Sequence, residues 1–409
     1  MRMEVEVYRM REVREKLSYS SGTLRPESGE RAFTVVRVVK DGRIGQALVE
    51  GIDEKAEERA RELATKLSKL SPKEDYRLPE GEKARWGRAF KGSLFEHTDE
   101  IKETIALAEN EGIGVPELEV GLLKRQVDVW NSRGAEVRGE YSIVDVSFSL
   151  VRGDAFFREQ VAFPEIPGIR RLISEGTGAI KKAERMEKAS PGETRVILSP
   201  LSFAELLYLG LVREASGSLL VRGASVLREG QRVAGENFTL YDDPLDETSL
   251  KPAKADDEGV STKRRALISE GTFTGHLWDS YWAYKVGRKS TGNAVRVEAN
   301  VFPAPHHLTL SGDASLDEML AELEDGYLIA GLMGLGGVDS KTGNFSVLAN
   351  PAFVVRNREI AALTSFTITG NIKRLLEGIE LVGMERRGIW FEPVSMAFPH
   401  VLTKVKVVP

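Results

Sequence analysis

Short turn sequences between β-branched runs limit the possible folds of this chain most strongly. Residues 32–50 read AFTVVRVVKDGRIGQALVE, with Asp41-Gly42 at the centre. An Asp-Gly pair flanked by alternating apolar residues is a strong signal for a two-residue β-hairpin. We therefore predict two antiparallel strands in this segment.

A second set of strands is predicted farther along the first half. The turn sequences Asn131-Ser132-Arg133-Gly134 and Arg152-Gly153-Asp154 separate runs with strand character. The predicted strands cover about residues 117–130, 135–151 and 155–163. Together they predict an antiparallel meander.

Three helices are predicted beside these strands. The first is amphipathic, begins with Asp53 as its N-cap and ends before Ser71-Pro72. Residues 73–97 are polar and are predicted to form a long loop. The other two helices are predicted over residues 99–111 and 169–188. The helices, the hairpin and the antiparallel meander together predict an α+β fold for this half of the chain.

The chain has 409 residues, which exceeds the size at which a single hydrophobic core usually stops growing. The turn-forming sequence Ser190-Pro191-Gly192 is the clearest signal for a domain boundary. We therefore expect an N-terminal α+β domain at residues 1–190 and a β-rich domain at residues 191–409.

The second half consists mainly of short β runs broken by Gly, Asp and Pro. Two capping boxes predict helices within it, one from Ser202 with Glu205 and one from Ser315 with Glu318, the latter ending near Leu323. We expect a mostly antiparallel sheet or a partly closed barrel with few helices.

Composition excludes several classes of function. The net charge is -5 and the basic residues are dispersed, so nucleic-acid binding is not expected. The chain has no Cys, which excludes disulfides and thiolate chemistry. No apolar run reaches the length of a signal peptide or a membrane span. We expect a soluble, cytoplasmic protein without membrane contact.

Candidate metal ligands are few. There are five His residues, and only His306-His307 are adjacent, but successive residues of a strand point to opposite faces. No HExxH motif occurs. The acidic groups Asp242-Asp243 and Asp256-Asp257-Glu258 could hold a hard cation, although a solvated turn is the favoured interpretation.

Two glycine-containing segments invite a functional interpretation. GLMGLGG, residues 331–337, lacks the Lys-Ser/Thr of a phosphate loop, which excludes nucleotide binding there. STGNA, residues 290–294, has hydroxyls but no adjacent His to activate them, so we expect a hydrogen-bonded loop. An exposed strand edge in this half could also bind an extended peptide.

Several longer strings resemble one protein family. The ordered series in the second half is similar to the C-terminal half of TldD/PmbA proteins, and KDGRIG and NSRG are similar to their N-terminal half. The strings are VILSPLSFAELL (196–207), YDDP (241–244), DDEGVSTKRRALISEGTF (256–273), DSYWAYKVGRKSTGNA (279–294), GVDSKTGNFS (337–346) and TITGNI (367–372). The resemblance covers nearly the whole chain.

The resemblance implies a subunit role. TldD-type members carry HExxxH on a helix and a later Cys, and are zinc-dependent peptidases. Here the matching helix reads SFAELLYLGLVRE, residues 202–214, and has no His. These departures resemble the TldE/PmbA-type member, which pairs with the metal-bearing subunit in a heterodimeric protease for small or unfolded peptides.

The resemblance therefore implies no catalytic residue and no metal in this chain, with zinc supplied by a TldD-type partner that carries HExxxH. Residues expected at the peptide or partner interface lie where the resemblance is densest: Ser290, Thr291, Gly292, Asn293, Gly336, Gly337, Asp339, Thr342, Gly343, Phe345 and Ser346. The isolated chain could also form a homodimer.

Two alternatives stay open. The first is a stand-alone, homodimeric peptide-binding or regulatory protein without enzymatic activity. The second is a hydrolase that uses Asp256, Asp257 or Glu258 with a bound metal.

Overall fold

The first half forms one large sheet covered by helices. The structure is a computed structural model that describes residues 3–182 and 185–408. In chain order, the elements of this half are β1 (Glu4–Ser20), β2 (Thr23–Lys40), β3 (Arg43–Glu50), α1 (Glu54–Ser68), β4 (Lys83–Arg88), α2 (Thr98–Asn110), β5 (Gly114–Asn131), β6 (Glu136–Arg152), β7 (Ala155–Phe163) and α3 (Ile169–Lys182).

The strand order of this N-terminal sheet is β3-β2-β1-β5-β6-β4, and β7 pairs with the second part of β6. All pairs are antiparallel except β4 with β6. The predicted hairpin at Asp41-Gly42 is confirmed, and both turn residues have positive φ, 52° and 73°. This left-handed pair matches the twist of the flanking strands.

Three predictions for this half need correction. No strand was predicted before residue 32, whereas β1 is central, because its many charged residues hide the strand pattern. The predicted loop 73–97 contains β4 and a 3₁₀ helix at Leu94–His97. The helix predicted to residue 188 ends at Lys182, and Met186 instead bridges to Leu363. Residues 183 and 184 of that prediction lie outside the described residues.

The second half is built from short strands. In chain order, its elements are β8 (Gly192–Leu198), α4 (Pro200–Gly210), α5 (Gly217–Val221), β9 (Leu240–Asp242), β10 (Arg265–Ser269), β11 (Thr272–Phe273), α6 (Ser280–Lys285), β12 (Ala294–Val297), β13 (Asn300–Pro303), β14 (His307–Thr309), α7 (Leu316–Leu323), β15 (Gly326–Ile329), β16 (Leu332–Met333), β17 (Asn344–Arg356), β18 (Glu359–Asn371), α8 (Ile372–Glu377), β19 (Leu381–Val382), β20 (Arg387–Phe391), β21 (Val394–Phe398) and β22 (Val401–Val408). Further 3₁₀ turns lie at Val212–Ala215 and Leu335–Gly337.

These strands form two main sheets. One has the order β11-β10-β9-β14-β21-β20, and the other has the order β15-β8-β22-β18-β17-β16. In the second sheet β15 also pairs with β17, which partly closes it into a ring. The predicted α+β class and the partly closed, mainly antiparallel second half are confirmed.

One predicted helix start was placed three residues too late. The capping box of α7 at Ser315 and Glu318 is confirmed, but α4 begins after Ser199, whose hydroxyl accepts from the Ser202 amide. Pro200 is the first helical residue, a position that needs no amide donor. Glu205 is therefore in the middle of the helix and does not act as a cap.

The two halves share an apolar cluster. Side chains of β6, including Phe148 and Leu150, belong to the same buried cluster as Phe353 of β17 and Leu363 of β18. The domain limits 1–190 and 191–409 stay a prediction, since the core is continuous across them. None of the helices in residues 3–182 and 185–408 combines the length and apolar character needed to span a bilayer.

A buried group of charges also joins the halves, and we call it the Glu6 cluster: Glu6, Arg37, Glu258 and Arg296. Arg37 Nη2 lies 2.5 Å from one oxygen of Glu6 and 2.6 Å from Glu258. Arg296 Nη2 lies 2.6 Å from the other oxygen of Glu6. None of the four side chains is more than 6% exposed, so each charge depends on its partners.

Substitution of Arg37 tests this dependence. Arg37→Met leaves Glu6 and Glu258 without a buried cation and should lower the free energy of unfolding by about 3–5 kcal/mol. Arg31→Met, on the same strand, breaks the exposed pair with Glu298 and should cost less than about 1 kcal/mol. Urea unfolding of both variants measures the difference; equal effects would show that the cluster does not stabilise the fold.

Candidate functional site

A cleft between the two halves lies at the first turn of α4 and has a volume of about 280 Å³. Its lining is mostly apolar and comes from elements that are far apart in sequence. The side chains include Phe157 of β7, Leu201 of α4, Leu316 of α7, Leu328 of β15, Phe353 of β17, Ile360 of β18 and Ile389 of β20. Concave, largely apolar sites of this kind are typical binding sites.

One wall of the cleft is the outer edge of β7. The turn Gly153-Asp154 closes the β6–β7 hairpin on Arg152 and Ala155, so the main-chain groups of alternate residues point away from β6. These outward groups include the amides and carbonyls of Arg158 and Gln160, which line the cleft. Among the described strands, none pairs with this side of β7. The edge can therefore bond an extended chain.

Strand β20 lies directly against β7 beside the cleft. A Cβ at Gly388 would lie 2.2 Å from the carbonyl oxygen of Ala162, which is too close for any side chain. Gly388 therefore permits backbone contact between the two halves.

Charged residues line one end of the cleft. Arg387 lies 2.9 Å from Glu175 and 3.9 Å from Glu159. Burial raises the pKa of Glu159, and the Arg387 charge opposes this rise. Burial lowers the pKa of the neighbouring His400 to about 4, so this imidazole is neutral at physiological pH.

Glu205 is the one carboxylate on α4. The helix buries Phe203, Ala204, Leu206 and Leu207, which places Glu205 in apolar surroundings. Burial raises its pKa to about 7, with a smaller opposing effect of Arg158. One carboxyl oxygen is buried without a hydrogen-bond partner. A carboxyl group in this environment exchanges a proton near neutral pH.

The residues of α4 do not fit a zinc ion. Zinc sites use three or four His, Cys, Asp or Glu ligands in close geometry, and the helix offers only Glu205. Across residues 3–182 and 185–408, no group of three such side chains is arranged to hold a metal ion.

The acidic segment Asp256-Asp257-Glu258 is a turn, but the interpretation as a solvated turn is wrong. The Gly259 amide donates to the Asp256 carbonyl, yet all three acidic side chains are buried. Asp256 accepts from the amides of Glu258, Val260 and Ala294. Glu258 belongs to the Glu6 cluster. These carboxylates already accept hydrogen bonds from the main chain or pair with buried cations. This disfavours the alternative in which they hold a metal for hydrolysis.

The second acidic pair has a similar role. Asp242 is buried and accepts from the main-chain amides of His306 and His307 and from the side chain of Asn293. The two imidazoles contact different elements: His306 reaches the carbonyl of Gly292, and His307 reaches the hydroxyl of Ser395. Opposite directions are expected for successive extended residues.

The predicted segment Ser290–Asn293 is a hydrogen-bonded loop, as expected. The hydroxyls of Ser290 and Thr291 both donate to the carbonyl of Trp278. Gly292 has φ of 71°, and a Cβ there would lie 2.2 Å from the Ser261 carbonyl. These contacts support loop structure, and a role in peptide or partner binding stays a prediction.

The other predicted segment lies on a different surface. Gly336, Gly337, Asp339, Thr342, Gly343, Phe345 and Ser346 form the connection from β16 into β17, where Val338 bridges to Phe345. Phe345 lines a cavity of about 730 Å³ with Arg374, Lys404 and Lys406. The described contacts do not bring this segment together with Ser290–Asn293 or with the cleft at α4.

Sequence reasoning missed the residues of the cleft. Arg158, Glu159, Arg387 and His400 belong to no local motif and meet only through the packing of β7, β20 and the chain after β21. Glu205 was identified only as a helix cap. The available signal for Glu205 was its position between apolar residues in a predicted helix.

Comparisons with known proteins agree with this architecture. A family model described as the PmbA/TldA metallopeptidase C-terminal domain matches residues 191–408. An uncharacterized protein of Methanocaldococcus jannaschii is 25% identical over 372 residues, 88% of this chain and 86% of that protein. The metalloprotease PmbA of Escherichia coli O157:H7 is 32% identical over 219 residues, 51% of this chain and 46% of that relative. The chain therefore matches about half the length of this second relative.

A crystal structure of TldE from Thermococcus kodakarensis is similar over its full length. It superposes with a TM-score of 0.88 at 27% identity, covering 99% of this chain and 97% of that one.

The raised pKa of Glu205 predicts a pH effect on stability. Because the pKa in the folded state, about 7, exceeds the ordinary value of 4.5, the protonated carboxyl stabilises the fold at low pH, and this contribution is lost as pH rises through about 7. Glu205→Gln should match the native chain near pH 4 and exceed its stability at about pH 9 by up to about 3 kcal/mol. Thermal unfolding across this range measures the difference.

Glu58→Gln, at an exposed position of α1, is the matched control for the loss of a carboxylate. A pH-independent difference between Glu205→Gln and the native chain would contradict the raised pKa.

Proposed function

Because the chain belongs to the PmbA/TldD metallopeptidase family, we propose that it is a TldE-type, non-catalytic subunit of a zinc metalloprotease that acts on small or unfolded peptides. In this proposal a TldD-type homologue with HExxxH is the partner and binds the zinc. This chain contributes one wall of the peptide-binding cavity and the interface. The complex carries out peptide maturation or degradation.

The observation that carries the proposal is the composition of α4. Peptide hydrolysis needs a group that polarises the carbonyl and delivers water. The full sequence has no Cys and no HExxxH, and α4 presents apolar side chains around a single carboxyl group. Zinc, when bound by the partner, would supply the activated water, while this chain's residues bind and orient the peptide.

The cleft supports a peptide rather than a compact ligand. The outward amides and carbonyls of Arg158 and Gln160 can bond to an extended backbone, and the apolar floor can receive one side chain. Arg387 at the end of the cleft offers a cation for a carboxylate. The similarity to the archaeal TldE structure over nearly the whole chain also supports the subunit assignment.

Affinity purification tests the partner. The tagged chain, expressed in its native organism, should recover a homologue of similar size that carries HExxxH, and the mixture should cleave unstructured peptides. Recovery of the chain only with itself would favour the stand-alone peptide-binding protein. Peptide cleavage by the pure single chain would overturn the proposal.

A substitution in the cleft tests the role of this chain in peptide binding. Ala330 lines the cleft, and Ala330→Trp should fill it. We expect the complex with the partner to form normally, while kcat/KM for peptide cleavage falls by about tenfold, equivalent to about 1.4 kcal/mol.

Ala106→Trp on the exposed face of α2 is the control and should leave both properties unchanged. Unchanged cleavage by the Ala330→Trp complex would exclude the cleft as a peptide-binding wall.

A further inference from the structure

Two neighbouring loops of the second half expose cations and no acids, and we call them the basic loops. The first is residues 254–265, KADDEGVSTKRR, and the second is residues 287–293, GRKSTGN. The Arg265 guanidinium donates to the Thr291 carbonyl. A Cβ on Gly292 would lie 2.2 Å from the Ser261 carbonyl oxygen. The two loops therefore form one continuous surface.

The first basic loop separates its charges by burial. Its acidic residues, Asp256–Glu258, are all buried, and two of them pair with the buried cations Lys251 and Arg37. Its cations Lys263 and Arg264 are exposed. A segment that is nearly neutral in sequence thus presents a positively charged surface.

Acidic side chains at the surface neutralise only the exposed arginines of the basic loops. Asp243 lies 3.3 Å from Arg264, and Glu229 lies 3.4 Å from Arg288. Across residues 3–182 and 185–408, no carboxylate pairs with the three exposed lysines of these loops. These lysines are Lys254, Lys263 and Lys289.

Hydrogen bonds fix both loops in place before any ligand binds. The hydroxyls of Ser290 and Thr291 donate to the carbonyl of Trp278, and the Thr262 amide donates to the carbonyl of Lys254. A fixed surface loses little conformational entropy when a ligand binds. The positive charges are therefore held close together without a ligand.

The surroundings of the basic loops disfavour a nucleic acid as the ligand. Binding of single strands draws much of its affinity from bases that stack on aromatic rings. Here the Arg264 guanidinium covers the ring of Tyr241, 4.0 Å from its centroid. Trp278, beneath Arg288, is only 2% exposed. The net charge of -5 also repels a long polyanion.

A short acidic segment of a polypeptide matches this surface better. Carboxylates on flexible side chains can reach the unpaired lysines without any stacking, and complementary charges favour their association. A short segment also avoids the negative charge on the rest of the chain.

We propose that the basic loops are a docking surface for a short acidic segment of another polypeptide, bound through its carboxylates. The surface includes Ser290–Asn293, and none of the residues of the two loops lines the cleft at α4. The binding goes beyond the proposed peptidase role and does not require the zinc-bearing partner. It can therefore be measured on the full chain alone.

Fluorescence anisotropy with a labelled peptide of consecutive glutamates tests the proposal. We expect the peptide to bind in about 0.1 M salt and to dissociate in about 1 M salt, because the Debye length falls from about 10 Å to about 3 Å. The analogous peptide of glutamines should not bind. Binding that persists in high salt, or equal binding of the glutamine peptide, would overturn the proposal.

Charge reversal locates the binding surface. The variant Lys263→Glu/Lys289→Glu should weaken binding of the glutamate peptide by about tenfold or more. The matched control is Lys55→Glu/Lys69→Glu, at exposed positions in and next to α1, which changes the net charge equally and should leave the affinity nearly unchanged. Equal losses in both variants would show that only the net charge matters, contrary to the proposal.

An oligothymidine with the same number of negative charges distinguishes the two classes of partner. We expect it to bind the full chain more weakly than the glutamate peptide, because no ring is free to stack on its bases. Tighter binding of the oligothymidine would contradict the assignment to a polypeptide.

Discussion

The carboxylate of Glu6 is the contact on which the arrangement of the two halves depends. It binds Arg37 from the N-terminal sheet with one oxygen and Arg296 from the second half with the other. Glu258 completes the group by accepting from Arg37 and from the Ser280 amide. Burial makes any unpaired member costly, so the loops of the second half are held in register with β1 and β2.

Helix α4 is held in place by contacts that do not involve a metal. Its place between the sheets is fixed by buried apolar residues and by the Ser199 cap, and neither requires a metal ligand. Glu205 then becomes a lone carboxyl in apolar surroundings, with a pKa near neutrality. This independence of packing from metal binding fits the proposal that a partner subunit binds the zinc.

Local signals in the sequence predicted much of the fold. The hairpin at Asp41-Gly42, the caps at Asp53 and Ser315, and the meander all follow from short-range turn and capping chemistry. β1 and β4 were missed because charged residues that pair across the sheet, such as Glu6, resemble surface residues in a linear pattern. The cleft was missed for a different reason: Arg158, Arg387 and His400 come together only through tertiary packing, which no local spacing encodes.

The glycine at position 388 has a consequence for which substitutions the junction of the two halves tolerates. Since backbone meets backbone there, any larger residue has to push β20 away from β7. The neighbouring residues Arg387 and Ile389 line the cleft and would move with the strand. A single methyl group at this position would therefore reshape the cleft without replacing any of the side chains that line it.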